Sequence, residues 1–266
     1  MRLTHLSLFT GIGGLDIAAE WAGFETVGQC EWADYPTKVL EKHWPDIERW
    51  RDIHDLSADD FNRRTGIVPG KLTAISGGFP CQPHSVAGKR KASGDERDLW
   101  PEYRRVISEI RPKWVVAENV RGLLSSEDGR FFRGILRDFS DMGYDVGWCC
   151  YRAADIGAIH SRERIGIIAH DHMFGRMGSE TEKNRVERKK QTQHEIASGS
   201  FSCHFREIDE PAGKFDLFEP KLLRNHNGIP HWVDRIKCLG NAVVPQQFYP
   251  IFKAIYEYEI EAMEND

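Results

Sequence analysis

Leu3-Thr4-His5-Leu6-Ser7-Leu8-Phe9-Thr10-Gly11-Ile12-Gly13-Gly14 passes from a short apolar run into three glycines within four residues. Leu3 to Phe9 reads as a strand, Thr10 to Gly14 as a turn, and the residues through Trp21 as a helix. A strand feeding a glycine turn and then a helix opens a βαβ sheet. Glycines at that turn let the backbone approach a bound cofactor, and the helix N-terminus offers it free N–H groups. The spacing is Gly-x-Gly-Gly, not the Gly-x-Gly-x-x-Gly that cradles a dinucleotide pyrophosphate. That difference favours a cofactor without phosphates.

The alternation continues to His170. Thr26 to Cys30 reads as a second strand ending at Glu31, and Tyr35 to His43 as a helix with Pro36 near its start. Leu72 to Ser76 is a short buried strand that runs into Gly77-Gly78. Glu102 to Ile110 reads as a helix entered through Pro101, Trp114 to Ala117 as a strand, and Phe131 to Met142 as a helix. Strands near Val146 to Tyr151 and Arg164 to Ala169 close the region. The expected fold is therefore α/β with a Rossmann-like sheet over residues 1–170. After His170 the chain turns polar and carries Arg176, Lys183, Arg185, Arg188, Lys189 and Lys190. Residues 171–235 read as a small irregular lobe, and 236–266 as a segment returning to the first domain. In that segment Gly240 to Pro245 reads as a turn and Gln246 to Glu261 as a helix.

Composition narrows the class. The 266 residues suffice for a buried core, and 40% hydrophobic with 29% charged residues is ordinary for a globular chain. No apolar run reaches the roughly 18 residues of a membrane span. The first residues lack the apolar block of a signal peptide, so a cytoplasmic protein without membrane contact is expected. The formal net charge of −5 does not exclude nucleic acid, because phosphate affinity depends on where Lys and Arg lie. Arg185, Arg188, Lys189 and Lys190 are the expected phosphate contacts. The six cysteines include no Cys-x-x-Cys pair, so free thiols and no metal centre are expected.

One thiol stands apart. Cys81 lies in Gly77-Gly78-Phe79-Pro80-Cys81-Gln82-Pro83, after a strand and between two prolines that restrict its backbone. The polar loop His84 to Asp98 beyond it could close as a lid. Glu31, about 20 residues after the glycine turn, can accept both hydroxyls of a ribose, and Trp32 can stack on a base. Ala117-Glu118-Asn119-Val120 ends a strand on the same edge. In His160-Ser161-Arg162-Glu163-Arg164, the two arginines share a face if the segment is extended.

In order and spacing, these elements resemble the cytosine-5 DNA methyltransferase family, in its small bacterial or phage form. The match covers residues 3–170 and about 236–258. The resemblance implies S-adenosylmethionine as cofactor and a sheet of the S-adenosylmethionine-dependent methyltransferase type, with 171–235 as the target-recognition region. Phe9, Gly11, Gly13 and Gly14 would form the cofactor turn, Glu31 would hold the ribose, and Trp32 would lie on the adenine. Asp52 and Ile53 resemble the family's adenine-edge pair, with Pro80 and Asn241 completing the cofactor set. Cys81 would add to carbon 6 of a flipped-out cytosine so that carbon 5 can take the methyl group. Glu118, protonated or sharing a proton, would bond ring nitrogen 3. Arg164 would hold the base carbonyl, and Arg162 would support the loop or a phosphate. Double-stranded DNA is the implied partner of a monomer, with a restriction endonuclease of the same sequence as a possible companion.

Three departures accompany the resemblance. Ser7 stands where the family has an acid, and His160 where it has Gln. The segment before the final Gly240-Asn241 is compressed to Asn227 through Ile236. Such a short recognition region fits a minimal enzyme of phages or mobile elements. The alternatives are a tRNA-modifying relative with the same cysteine chemistry, whose Cys-Phe-Thr segment is absent here, and a silent DNA-binding protein.

Overall fold

A computed structural model of the chain describes residues 2–80, 98–157, 161–171 and 232–264. Seven strands form one sheet: β1 Thr4–Leu8, β2 Glu25–Cys30, β3 Glu48–Trp50, β4 Ala74–Gly77, β5 Trp114–Val120, β6 Asp145–Arg152 and β7 Glu163–His170. Their order is β3-β2-β1-β4-β5-β7-β6. The pairs from β3 across to β5 are parallel, whereas β7 runs antiparallel to both β5 and β6. Because β7 is reversed, its first residues share an edge with the last residues of β1 to β5. That edge, the carboxyl end of an open α/β sheet, is where such folds bind ligands.

Side-chain alternation along the strands divides the core into two layers. In β5, Val115 and Ala117 face one layer, and Val116 faces the other. The first layer contains Leu6, Leu8, Ile165 and Ile167 of the sheet. It packs on Phe61 of α3 (Ala58–Thr65), Tyr103 and Val106 of α4 (Trp100–Ile110), and Phe132, Ile135 and Phe139 of α5 (Arg130–Met142). The second layer sets Leu15, Ala18 and Ala19 of α1 (Gly14–Ala22) against Phe248, Ile251 and Phe252 of the last helix, Pro245–Glu264. Two further helices are α2 (Asp34–His43) and α6 (Trp232–Asn241), which makes Pro245–Glu264 α7. Glu259 of α7 accepts from Lys113 Nζ at 2.7 Å and Trp114 Nε1 at 2.7 Å, tying the returning helix to the start of β5.

The strands expected from sequence form within a few residues of their expected ends, except that β5 continues to Val120 and so carries Glu118 and Asn119. One strand and two α-helices were not expected. β3 has only three residues, too few for periodicity to register. α3 buries one apolar side chain, Phe61, but carries capping signals at both ends: Ser57 Oγ accepts the Asp60 N–H, and Gly66 closes it in the left-handed region. Helix α6 runs through Gly240 to Asn241, so the turn expected from Gly240 is confined to residues 242–244. Cys81, the 84–98 loop up to residue 97, His160 and the basic run at 185–190, all singled out by the sequence, lie outside the described residues.

Two buried groups give the second layer a pH signature. His5 bonds Ser76 Oγ at 2.7 Å and lies edge-on to Phe252, and burial pushes its pKa down to about 3. Asp16 accepts from Ser7 Oγ at 2.9 Å and Gln29 Nε2 at 2.8 Å, yet burial raises its pKa to about 6. Their linkage signs are opposite. His5 contributes stability above its unfolded value of 6.5 that is lost as pH falls toward 3. Asp16 contributes stability below 3.8 that is lost as pH rises through 6. Relative to the parent, Asp16→Asn should therefore gain about 1.4 kcal/mol per pH unit between roughly pH 4 and 6. Urea unfolding at pH 4, 5 and 6 measures this, and a pH-independent difference would contradict it.

Candidate active site

The glycine turn is shaped by close approaches. Phe9 (φ 51), Gly11 (φ 59) and Gly13 (φ 89) all occupy the left-handed region, which only glycine enters without strain. Phe9 accepts that conformation while its ring packs edge-on against Tyr103, at 5.8 Å between centroids. A methyl group at Gly14 would lie 2.4 Å from the Val243 carbonyl oxygen, so the segment between α6 and α7 rests directly on the turn. A methyl group at Gly11 would meet nothing within 4 Å. Open space therefore begins there.

Glu31 leaves the end of β2 facing this space. Its Oε2 accepts the Gly11 N–H at 2.7 Å and its Oε1 the Ala33 N–H at 2.8 Å, which holds both oxygens at the turn with lone pairs to spare. Trp32, next to it, is 73% exposed, unusual for so large an apolar surface. Asp52, after β3, accepts from the His54 backbone N–H at 2.9 Å and His54 Nδ1 at 2.6 Å. These bonds hold its carboxyl below the usual range. Ile53 is buried in the first core layer. The Glu31 N–H donates to Trp50 O at 3.0 Å, so the β2 and β3 ends are adjacent and Glu31 and Asp52 flank one corner of the edge. A carboxylate pair, an exposed aromatic and open glycine backbone fit a nucleoside with a polar tail, as S-adenosylmethionine has.

The second half of the edge carries Glu118 and Arg164. Glu118 and Gly166 are paired across β5 and β7, and Arg164 is paired with Val120 two residues on, which puts Arg164 diagonal to Glu118 on one face. Arg164 Nε lies 2.8 Å from Glu118 Oε1. Burial raises the Glu118 pKa, with the charges of Arg164 and Arg162 and the Arg164 bond opposing. The result is a carboxyl made less acidic than usual by burial while it stays paired with the Arg164 guanidinium. Its position depends on Gly78, where a methyl group would lie 2.8 Å from Glu118 Oε2. Asn119 Nδ2 donates to Phe79 O at 3.1 Å, fixing Phe79-Pro80 beside Glu118. The residue after Pro80 is Cys81.

Arg162 sits apart from the Glu118–Arg164 pair in its bonding. Its Nη1 donates to Gly240 O at 2.6 Å, and its buried Nε has no partner among the described residues. Gln247 Nε2 donates to the backbone oxygens of Tyr151, at 3.2 Å, and Arg162, at 3.1 Å, which links α7 to this loop. Asn241 is exposed at the end of α6, next to that Gly240 contact. Gly78, Asn119 and Gln247 are supporting residues to which the sequence alone assigned no role. Gly78 and Asn119 stood inside quoted motifs, whereas a single glutamine in a helix gives no signal. Ser7, in place of the expected acid, receives one from α1 through its bond to Asp16.

Three other thiols, Cys30, Cys150 and Cys238, are poor nucleophile candidates. Burial, with the charges of Glu31, Asp52 and Asp55, pushes Cys30 up to about 12. Burial also raises Cys150 and Cys238. No described helix is long and apolar enough to cross a membrane.

A family model described as C-5 cytosine-specific DNA methylase matches residues 3–214. Type II methyltransferase M.FnuDI of Fusobacterium nucleatum is 35% identical over 164 residues, covering 61% of this chain and 45% of that protein. Type II methyltransferase M.Sau96I of Staphylococcus aureus is 34% identical over 164 residues, covering 60% of this chain and 37% of that protein. The chain thus spans less than half the length of these two relatives. Among solved structures, an E. coli protein described as a DNA modification methyltransferase encoded within a prophage superimposes with a TM-score of 0.55. It is 26% identical, over 64% of this chain and 47% of that one. A Spodoptera frugiperda DNMT2 variant, 18% identical over 65% of this chain and 51% of that one, shares the fold with a TM-score of 0.52.

Proposed function

The chain belongs to the C-5 cytosine-specific DNA methylase family, and from that premise we propose that it methylates carbon 5 of cytosine in double-stranded DNA through a covalent adduct of Cys81. The observation that carries this reading is the buried Glu118–Arg164 pair on the edge that also holds the Glu31 turn. Cytosine carbon 5 is a poor nucleophile. Addition of the Cys81 thiolate to carbon 6 pushes electron density onto carbon 5 and toward ring nitrogen 3. The Glu118 carboxyl, hydrogen-bonded to nitrogen 3, supplies a proton as charge develops there. Arg164 holds both the base carbonyl and the Glu118 carboxylate once that proton has left. S-adenosylmethionine supplies the methyl group. A base then takes the carbon-5 proton, the carbon–sulfur bond breaks to release Cys81 as thiolate, and nitrogen 3 returns its proton to the Glu118 carboxylate. The reacting carbons are shielded in the duplex, so the cytosine must leave the stack.

Glu31 holds the ribose hydroxyls, Trp32 covers the adenine, and Phe9, Gly11, Gly13, Gly14, Asp52, Ile53, Pro80 and Asn241 complete the cofactor site. Arg162 braces Gly240, and with it the Asn241 segment. The protein acts as a monomer, with residues 171–235 reading the target and a restriction endonuclease cutting the same sequence when unmethylated. Glu31→Ala should weaken S-adenosylmethionine binding by about 1–3 kcal/mol, because two hydroxyls lose a charged acceptor. Calorimetry measures this, and equal affinities would remove Glu31 from the site. The overall reading is tested by methyl incorporation into duplex DNA and into tRNA. Product as 5-methylcytosine in DNA supports it, whereas product in tRNA alone would make the chain an RNA enzyme.

A further inference from the structure

Nine arginines with described side chains are exposed, and six of them close an ion pair with a carboxylate: Arg2, Arg51, Arg63, Arg104, Arg121 and Arg152. The other three are Arg130, Arg133 and Arg137, for which no carboxylate partner exists among the described residues. All three lie on α5 at spacings of three and four, so they form one stripe on the face opposite Phe132, Ile135, Leu136 and Phe139. Gly134 beside the stripe leaves open space, and Asp141 ends it.

The stripe does not complement the dipole of the helix that carries it. Cations at the start of a helix oppose its dipole, and the first turn of α5 holds two arginines and no acid. Arg130 Nε donates to Glu127 O at 3.1 Å and Arg133 Nη2 to Asp128 O at 3.3 Å. Most of the guanidinium N–H groups have no partner among the described residues, and they present the planar fork that suits phosphate oxygens. α5 is entered through the loop that leaves the Glu118 end of β5, so Arg130 begins at the active edge. Arg137 lies about 10 Å further along the helix axis, the rise of roughly three nucleotides of one DNA strand.

We propose that the Arg130–Arg133–Arg137 face of α5 is a phosphate-binding surface that grips the DNA backbone beside the target cytosine. The proposal rests on duplex DNA being the substrate. It gives a chain of net charge −5 a concentrated positive face on the catalytic domain itself, separate from the basic run at 185–190.

The test compares the full chain with the triple variant Arg130→Gln, Arg133→Gln, Arg137→Gln, and with a control carrying Arg104→Gln and Arg152→Gln at ion-paired sites. Duplex DNA affinity is measured from about 50 to 200 mM salt, alongside S-adenosylmethionine affinity and steady-state methylation. The triple variant should lower the slope of log K against log salt by about 0.9 for each phosphate that is no longer neutralised. It should raise KM for DNA by about 10-fold or more, since electrostatic attraction dominates such affinity. Its kcat and cofactor affinity should match the parent, and the control should keep the parental slope. A parental slope in the triple variant, with DNA methylated normally, would overturn the face while leaving the function intact. An equal loss in the control would assign the effect to net charge and also overturn it. A parent that neither binds nor methylates DNA would overturn both.

Discussion

Glu118→Gln should lower the rate of methyl transfer by about 10²- to 10³-fold, the usual cost of losing one preorganised stabilising group. Glutamine is nearly isosteric, so the close approach that Gly78 permits and the edge of β5 should survive. What disappears is a transferable proton. Burial holds the Glu118 carboxyl above its ordinary range against the pull of Arg164 and Arg162, and an amide has no comparable acidity. The defect should therefore fall on kcat, with KM for DNA and for cofactor close to parental. Single-turnover methylation with matched melting temperatures measures it. A rate within about threefold of the parent, far short of that cost, would remove Glu118 from the chemistry.

Gly14→Ala should weaken cofactor binding by about 10- to 100-fold, and it should do so through the backbone, with no cofactor-facing side chain removed. The added methyl would meet the Val243 carbonyl at 2.4 Å, and a carbonyl has no rotamer by which to retreat. The 242–244 segment must move away, and the Arg162–Gly240 bond and Asn241 must move with it. Overpacking of this kind costs about 1–3 kcal/mol, enough to depress affinity roughly 10- to 100-fold if the displaced segment borders the cofactor. Gly11→Ala is the control. It strains φ but strikes nothing within 4 Å, so it should melt lower without the same loss of α7 docking. Calorimetry and thermal melts separate the two. Equal cofactor affinity for Gly14→Ala and the parent would contradict this account of the turn.

The sheet was legible because its strands are short apolar runs separated by glycines and amphipathic helices, as at Leu6–Leu8 before Gly11. The order of strands was not, since the reversal of β7 depends on pairing with Trp114 to Val120, more than 40 residues earlier. That reversal is what carries Arg164 to Glu118. The residues of the site stood out in sequence as glycine and proline punctuation around Cys81 and as acids ending strands. Their supports did not. Asp16 looks like an ordinary acid in the first turn of α1, and only the fold shows it completely buried against Ser7 and Gln29. Likewise, nothing in the sequence marks the arginines of α5, and only the ion pairs closed by the other exposed arginines set them apart. α3 buries too little apolar surface to show a period, so its local signal is the capping at Ser57 and Gly66.

The proposed mechanism turns on a covalent bond from Cys81 to the base. Fluorine at carbon 5 cannot leave as a proton, so after methyl transfer the elimination that frees the thiolate is blocked. Incubating the protein with S-adenosylmethionine and duplex DNA containing 5-fluorocytosine at its target should give a complex that survives denaturing electrophoresis. Cys81→Ser should give none, because a hydroxyl is far less acidic and less nucleophilic than a thiol. Methylation of ordinary duplex DNA at the parental rate by Cys81→Ser would contradict the mechanism outright.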